Sequence, residues 1–320
     1  MATKTEEREL NTITATVQLV AMNKKTMSPE SWGSGILLIN NGGQYLFTAL
    51  HNALLWARCI QGDLVPMNCC PMMPGGSYSM KNQLTDKFRL IKDSHLHEDA
   101  HTGAPYLDIS FTEVPNKPYY RWEGNARVID NCIGNIESKK YELRKFPVAD
   151  LMKRPTNEAT LGKGHFSFCA TVNPNDTNYR VSGTPVVSID ALYIPDLTFK
   201  CLDGDYYIKF ETPKPVDQYH ISFSGSSGAP ILDDEGFPIA LVCGGEDGKG
   251  NERVVRAIRL DSVLNRLSNF TGSCVSSLSC VDLESTISSN QEEIMSILRG
   301  MLDDDQWAFY WEKVDKGLIY

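Results

Sequence analysis

Short runs of apolar residues recur along most of the chain, separated by clusters of glycine, asparagine, aspartate and proline. The first runs are residues 12–21, 35–39 and 44–49, and the sequence Asn-Asn-Gly-Gly at 40–43 is typical of a hairpin turn. Further runs of the same kind are Tyr106–Phe111, Ala126–Ile129, His165–Val172, Thr184–Ile189, Tyr206–Thr212, Ala229–Leu232, Pro238–Cys243 and Arg253–Ile258. Because helical spacing is almost missing before Asp261, the pattern predicts an all-β barrel or sandwich.

The C-terminal part of the chain has a different pattern. Residues 261–267 predict a helix with Asp261 as its N-cap, and the serine-rich segment 271–290 is typical of a linker. From Gln291 onward, apolar residues recur at helical spacing and are followed by the aromatic sequence "WAFYW". We therefore expect a main domain over 1–270, a linker over 271–290 and an extension over 291–320. The extension should pack on the main domain or dock on a regulatory partner.

Composition narrows the class of protein. The chain is 42% hydrophobic and 22% charged, which is typical of a soluble globular protein. A formal net charge of -9 argues against nucleic acid or anionic membrane as a partner, and no apolar run approaches the roughly 20 residues that span a bilayer. Nine cysteines without a CxxC pair, and no apolar signal segment, favour reduced thiols in the cytoplasm.

Three short stretches carry side chains that could act together in covalent hydrolysis. His51 ends the run "LFTALH", Asp108 lies inside the run "YLDISF", and Ser227 lies in the turn-like sequence "GSSGAP". A serine hydroxyl is a weak nucleophile at neutral pH and needs a neighbouring general base. Histidine can take the proton, and a buried carboxylate orients the ring and stabilises its charged form. The residue types therefore predict nucleophilic catalysis by serine.

The order and local sequence of these stretches resemble those of the chymotrypsin-like (trypsin-fold) serine peptidases. The motifs that carry the resemblance are "TALH", "LDIS" and "GSSGAP", with weaker matches in "GSG" at 33–35 and "IALVCGG" at 239–245. The resemblance extends over residues 11–270, which is most of the chain. It implies an all-β fold of two six-stranded antiparallel β-barrels with the site in the cleft between them, followed by a short C-terminal helical extension.

The same resemblance implies a role for individual residues. Ser227 would be the nucleophile, His51 the general base and then acid, and Asp108 the orienting carboxylate. The backbone N–H groups of Gly225 and Ser227 would form the oxyanion hole, and a glycine suits this position because it adopts dihedral angles that other residues avoid. Residues expected to bind the substrate are Ile221, Cys243, Gly244 and Gly245.

Two positions depart from the pattern of that family. Ser226 stands where members activated by propeptide cleavage have an aspartate, so we expect no activation by a newly formed N-terminus. Ile221 lies six residues before the serine, at the position that sets the charge of the specificity pocket. An isoleucine there favours apolar or small side chains over Lys and Arg, although Glu246 or Asp247 could supply charge from the wall.

A second hydrolase motif, HExxH, occurs at His97, Glu98 and His101. This motif binds zinc when both histidines share one face of a helix. Gly103 and Pro105 follow at once and disfavour a helix. We therefore expect a polar or cation-binding loop here, and neither a catalytic metal nor a cofactor.

The sequence thus predicts a serine endopeptidase that acts on protein or peptide substrates through an acyl-enzyme. Two alternatives stay open at this stage. One is an esterase with the same triad, and the other is a catalytically silent scaffold that binds peptides by strand addition along "LVCGG".

Overall fold

The computed structural model describes residues 4–22, 29–54, 68–72, 88–95, 99, 102, 104–116, 120–122, 140–154, 156–181, 184–215, 225–245, 253–267, 278–283, 285–286 and 291–301. Strands dominate these residues. They form one large sheet, drawn mainly from the first half of the chain, and one closed barrel from the second half. The predicted strand at 126–129 lies outside the described residues.

The large sheet, called here the first sheet, contains eight strands. They are β1 (Val17–Met22), β2 (Pro29–Asn40), β3 (Gly43–Thr48), β4 (Asn68–Met72), β5 (Arg89–Asp93), β6 (Tyr106–Val114), β9 (Lys145–Pro147) and β16 (Leu278–Asp282). The order across the sheet is β16-β5-β6-β3-β2-β1-β4, and β9 pairs in parallel with β2. Two short strands, β7 (Tyr120–Trp122) and β8 (Lys140–Glu142), pair only with each other in the described part of the chain.

The hairpin predicted at 40–43 is confirmed. Strands β2 and β3 pair antiparallel up to Asn40 and Gly43, which leaves a two-residue loop. Asn41 and Gly42 have φ values of 48° and 80° in this loop. Two consecutive positive φ values are what a two-residue hairpin loop requires, and asparagine and glycine tolerate them best.

The second half of the chain closes into a six-stranded antiparallel barrel. Its strands are β10 (Phe166–Val181), β11 (Thr184–Asp203), β12 (Tyr207–Glu211), β13 (Pro230–Leu232), β14 (Pro238–Gly245) and β15 (Val254–Arg259), in the order β10-β11-β12-β15-β14-β13. Apolar side chains from its different strands, such as Phe168, Phe210 and Val255, fill its interior. The prediction of an all-β fold with a six-stranded barrel is therefore confirmed for this half, whereas the first sheet contains eight strands and does not close within the described residues.

The chain begins with a helix that the apolar pattern did not predict. Helix α1 (Lys4–Ala15) covers the start of the run at 12–21, and the strand β1 begins only at Val17. Threonine is a weak helix former, but here the Thr12 hydroxyl donates to the Arg8 carbonyl at 2.9 Å and Thr14 donates to Leu10 at 2.8 Å. These bonds satisfy the hydroxyls within the helix.

Helix α1 lies against the barrel of the second half rather than the first sheet. The Thr12 hydroxyl is 2.9 Å from the Ser167 hydroxyl on β10, and Arg8 forms ion pairs with Asp196 at 3.3 Å and Asp234 at 3.5 Å. The N-terminal segment therefore ties the start of the chain to its second half.

Other helices among the described residues are short or lie at the end of the described chain. They are α2 (Val148–Leu151), α3 (Glu158–Leu161), α4 (Leu260–Leu264) and α5 (Gln291–Met301). Helix α4 confirms the helix predicted near 261–267, but Arg259, not Asp261, is its N-cap. The Asp261 carboxylate instead accepts hydrogen bonds from the main-chain N–H and the hydroxyl of Thr156. Among the described helices, none has the length and apolar character needed to cross a bilayer.

The segment after residue 277 completes the first sheet. Strand β16, which lies inside the expected linker, pairs antiparallel with β5. Helix α5 buries Ile294 and Ile297, each 1% exposed, in one apolar cluster with Leu50 and Leu54 of the first half. The described part of the extension thus packs on its own chain, and the aromatic sequence at 307–311 lies outside the described residues.

A third apolar cluster joins the two halves. It combines Ile36, Phe47 and Ile109 from the first sheet with Leu241 and Ile258 from the barrel. This cluster excludes water from the space between the sheet and the barrel. At its border, polar residues of one half form hydrogen bonds with residues of the other half. The candidate site lies at this border.

We predict that Ile297→Ala destabilises the protein by about 2–5 kcal/mol, because truncating a buried isoleucine loses transfer free energy and leaves a cavity. Ser296→Ala, at an exposed position of the same helix, is the control and should change stability by less than about 0.5 kcal/mol. Urea unfolding measures both variants. Equal stability of the two would contradict the packing of α5 on the first sheet.

A second prediction concerns Glu9, which is 7% exposed and whose Oε1 atom has no hydrogen-bond partner among the described residues. Burial, with a smaller contribution from Glu6, raises the pKa of Glu9 above its ordinary value of 4.5. The folded protein therefore holds the proton more tightly, and this stabilisation is lost as the pH rises through the folded pKa.

Glu9→Gln should accordingly be more stable than the native protein at about pH 7 and equal to it at about pH 4. Glu7→Gln, at an exposed position of the same helix, should leave the pH profile of stability unchanged. Thermal unfolding across this pH range gives the comparison, and parallel profiles for the native protein and Glu9→Gln would contradict the prediction.

Candidate active site

Two neighbouring strands bring His51 and Asp108 together. Strand β3 pairs with β6, and the last pair of the register joins Thr48 to Ser110. The chain then leaves the strand and enters a helical turn at 50–54, which places the His51 ring beside Asp108, two residues before Ser110 on β6. His51 Nδ1 is 3.1 Å from Asp108 Oδ1 and 3.2 Å from Oδ2, and the main-chain N–H of His51 donates to Oδ1 at 3.3 Å.

This pair is buried, with Asp108 0% and His51 8% exposed. An ionised carboxylate has no hydrogen to donate, so the bond requires the proton of a neutral His51 to reside on Nδ1. The other ring nitrogen, Nε2, is then left as an acceptor. A histidine in this tautomer can act as a general base on the side of the ring away from Asp108.

Main-chain and side-chain hydrogen bonds attach the loop at 225–228 to the first sheet. The N–H of Ser34, on β2, donates to the Ser227 carbonyl at 2.9 Å, and the Ser34 hydroxyl donates to the Gly225 carbonyl at 2.8 Å. Asn52, the residue after His51, donates from Nδ2 to the same Ser227 carbonyl at 2.9 Å. The loop that carries the serine is thus held by the turn that carries the histidine.

Close approach of the backbones explains the glycines on both sides of this junction. Gly228 has a φ of +86°, and a Cβ added there would lie 2.0 Å from the Ser34 carbonyl oxygen. A Cβ added at Gly33 would lie 2.5 Å from Asn52 Nδ2. Gly225 also has a positive φ, of 97°. The contacts at Gly228 and Gly33 leave no room for a side chain, so packing requires glycine at these two positions, whereas Gly225 is favoured by its positive φ.

Within the loop, Ser226 and Ser227 differ in accessibility. Ser226 is 3% exposed, whereas Ser227 is half-buried. None of the described residues accepts a hydrogen bond from the N–H of Gly225 or of Ser227. In the same part of the chain, no hydrogen bond joins the Ser227 hydroxyl to the His51 ring. The structure therefore brings His51 and Asp108 into contact and attaches the Ser227 loop beside them.

The four residues expected to bind substrate lie in different environments. Cys243 is buried, and its Sγ atom lies 3.7 Å from the Asp108 carbonyl oxygen, so its side chain points toward the aspartate. Burial, and then the charge of Asp108, raises the pKa of the Cys243 thiol well above its usual range, so it stays protonated. Gly244 is half-buried and Gly245 is exposed at the end of β14, and Ile221 lies outside the described residues.

The HExxH residues His97, Glu98 and His101 also lie outside the described residues. Across the part of the chain that is described, no group of three or more His, Cys, Asp or Glu side chains could hold a metal ion.

Thr48 and Asn52 support the site through hydrogen bonds that the sequence analysis did not predict. The Thr48 hydroxyl donates to the Ser34 carbonyl at 2.7 Å and accepts from Asn52 Nδ2 at 3.1 Å. Both residues flank "ALH", but a threonine and an asparagine at the end of a strand are common turn residues, and no local pattern indicates a contact with the loop at 225–228.

Comparison with known proteins gives likenesses of shape only. No known protein family matches the chain, and no curated protein sequence does so. The chain is similar to the active form of the Rv3671c protease from M. tuberculosis, with 11% identity, a TM-score of 0.36 and coverage of 84% of this chain and 86% of that one.

Two further solved structures show a comparable likeness. The HtrA-type protease AlgW with a tripeptide has 13% identity and a TM-score of 0.38, over 83% of this chain and 62% of that one. An inactive form of Rv3671c from M. tuberculosis has 10% identity and a TM-score of 0.35, over 84% and 92%. With TM-scores below 0.5, the function has to be argued from the site itself.

The junction between the two halves gives a prediction. Gly228→Ala should destabilise the protein and disrupt the loop at 225–228, because the new Cβ would overlap the Ser34 carbonyl oxygen. Gly204→Ala is the matched control, since its φ is +68° but nothing lies within 4 Å of the added Cβ. The control should cost only the backbone strain of about 1–2 kcal/mol.

Thermal unfolding measures both variants. Gly228→Ala should lose more stability than Gly204→Ala. Equal behaviour of the two would mean that Gly228 is needed only for its dihedral angles and not for the close contact.

Proposed function

We propose that this protein is a serine peptidase of the chymotrypsin-like type. The observation that carries the proposal is the hydrogen-bonded pair of His51 and buried Asp108, with the Ser227 loop held beside it by Ser34 and Asn52. We further propose that the first sheet corresponds to the first of the two barrels of that fold. In this proposal the two halves form the walls of the substrate cleft.

In the proposed reaction, Ser227 Oγ attacks the carbonyl carbon of the scissile bond, and His51 Nε2 takes the hydroxyl proton. His51 then gives this proton to the leaving amine, which departs and leaves an acyl group on Ser227. Water attacks the acyl group in the second half of the cycle, again with His51 as general base. Asp108 stays ionised throughout, holds the ring through Nδ1–H and stabilises the imidazolium that forms twice per turnover.

The tetrahedral intermediate carries a negative oxygen, which needs donors already in place. The N–H groups of Gly225 and Ser227, which lack acceptors among the described residues, are suited to this role. One donor of this kind typically lowers the barrier by about 2.7–4 kcal/mol. The contact between Ser227 Oγ and His51 Nε2 would tighten on substrate binding, since hydrogen bonds at empty active sites are often long.

The proposed substrate is a protein or peptide. Gly244 and Gly245 lie at the end of β14, where β14 pairs with β15 on one side and its pairing with β13 has already ended at Leu241. Among the residues that the structure describes, no strand pairs with the other edge of these two glycines. An extended peptide could add there as a strand, which would hold the scissile bond in an extended conformation beside Ser227.

The proposal is tested by labelling with a fluorophosphonate, which reacts only with an activated serine. The native protein should react, and mass spectrometry should locate the adduct on Ser227 and not on Ser226. Ser227→Ala and His51→Ala should lower labelling and peptide hydrolysis by several orders of magnitude, as loss of a triad member generally does. Ser279→Ala, at an exposed position on β16, is the control.

Three other outcomes would each replace part of the proposal. Loss of activity with EDTA, together with full activity of Ser227→Ala, would favour a metal site at His97 and His101. Turnover of esters but not of any peptide library would favour an esterase. A native protein that binds peptides but never reacts with the probe would favour a silent scaffold.

A further inference from the structure

The main chain of Asp108 is held by side chains from the barrel, not only by its own sheet. Its N–H donates to the Tyr207 hydroxyl oxygen at 3.2 Å, and its carbonyl lies 3.7 Å from Cys243 Sγ, which can donate to it. Tyr207 begins β12 and Cys243 lies in β14. Next to Asp108, the pairing of β6 with β5 is irregular, because the register shifts between Leu90 and Lys92.

The hydrogen bond to Tyr207 continues to a second buried carboxylate. The Tyr207 oxygen accepts from the Asp108 N–H, so its own hydrogen is free to be donated to Asp99 Oδ1 at 3.0 Å. Tyr207 is 3% and Asp99 4% exposed, so water does not compete for these bonds. Burial, with smaller contributions from neighbouring acidic groups, raises the pKa of the Tyr207 phenol well above its usual range, and the hydroxyl keeps its proton.

Asp99 is itself held by hydrogen bonds to Thr102 and Ala104. Its N–H donates to the Ala104 carbonyl at 2.8 Å, and its Oδ1 also accepts from the N–H of Thr102 at 3.2 Å. Asp99 is the third residue of the HExxH sequence that the serine mechanism leaves without a role. Asp99 is the residue of this sequence that the structure describes, and its carboxylate accepts from the hydroxyl of a tyrosine that comes from the opposite half of the molecule.

We propose that Tyr207 and Asp99 are positioning residues for the proposed peptidase reaction, acting through the main chain of Asp108. This inference rests on the proposed function. The Asp108 carboxylate must stay on His51 Nδ1 while the ring gains and loses a proton, and supporting groups have to hold such a constellation to within about 0.5 Å. The hydrogen bonds that link Asp99, Tyr207 and Asp108 supply that support through Tyr207, which belongs to the barrel, the half that also carries Ser227.

The neighbouring residue Tyr206 provides a matched control. It is 4% exposed, and its hydroxyl also donates to a buried carboxylate, that of Asp93. The Tyr206 hydroxyl additionally accepts from Arg266 at 2.9 Å, and no hydrogen bond links it to His51, Asp108 or Ser227 in the described part of the chain. Removing either hydroxyl should therefore cost stability, but only Tyr207 should affect the site.

The experiment compares Tyr207→Phe with Tyr206→Phe in the full chain. We measure thermal stability, the rate of fluorophosphonate labelling of Ser227, and the solvent exchange of the His51 Nδ1–H signal by NMR of protein labelled with ¹⁵N-histidine. Tyr207→Phe should label on the order of tenfold more slowly, about the factor expected for one buried hydrogen bond, and its Nδ1–H should exchange faster. Tyr206→Phe should match the native protein in both readouts.

Substitutions of Asp99 show whether the two residues act as one unit. Asp99→Asn keeps an oxygen that can accept from Tyr207 and should retain most of the labelling rate, whereas Asp99→Ala should lose as much as Tyr207→Phe. Combining Asp99→Ala with Tyr207→Phe should cause no further loss, since residues that act through one interaction are not additive. Asp99→Asn and Asp99→Ala also keep the test open if Tyr207→Phe does not fold.

Each result bears on the proposal. Equal labelling and equal Nδ1–H exchange for the two tyrosine variants would overturn it, and so would full additivity of the Asp99 and Tyr207 substitutions. A native protein that does not react with the probe would refute the proposed function. The exchange of the His51 signal would still decide whether Tyr207 positions Asp108, because that readout needs no catalysis.

Discussion

The candidate site depends on one contact between backbones, where the carbonyl of Ser34 meets Gly228. The approach is too close for any side chain, so the loop of the barrel and the strand β2 of the sheet are fixed relative to each other by main-chain atoms. Main-chain atoms have no rotamers, and a junction built from them is therefore more rigid than one built from long side chains. The distance between histidine and serine follows from this junction.

Around the junction, apolar and polar contacts contribute to the structure in different ways. The cluster that contains Phe47, Leu241 and Ile258 supplies the driving force that brings the sheet and the barrel together, but apolar packing is not directional. The hydrogen bonds of Ser34, Asn52 and Tyr207 are directional, and they cross the same boundary. Burying any of these groups without a hydrogen-bond partner would lower the free energy of unfolding. The polar contacts therefore favour one of the arrangements of sheet and barrel that the apolar cluster allows.

Local patterns account for much of the fold and for part of the site. The hairpin at Asn41 and Gly42 and most strands of the barrel were predictable, because turn chemistry and alternation act over a few residues. Helix α1 was not, because its threonines are stabilised by hydroxyl bonds to the preceding turn and by packing on the barrel. The pairing of β16 with β5 and the contact of Tyr207 with Asp99 join residues far apart in the chain, and no short-range pattern encodes them.

The first and last described segments of the chain each pack on the half of the molecule that is remote from them in sequence. Helix α1 precedes the first sheet but lies on the barrel, while β16 and α5 follow the barrel but complete the first sheet. The first sheet is therefore not finished when its own stretch of sequence leaves the ribosome, whereas helix α1 is already available when the barrel strands emerge. The first sheet cannot be completed until residues near 300 have been synthesised. Contacts between residues that lie so far apart in the chain are expected to slow folding. A nascent chain would thus not have a finished first sheet, the half that carries His51 and Asp108, until the residues of helix α5 have been synthesised.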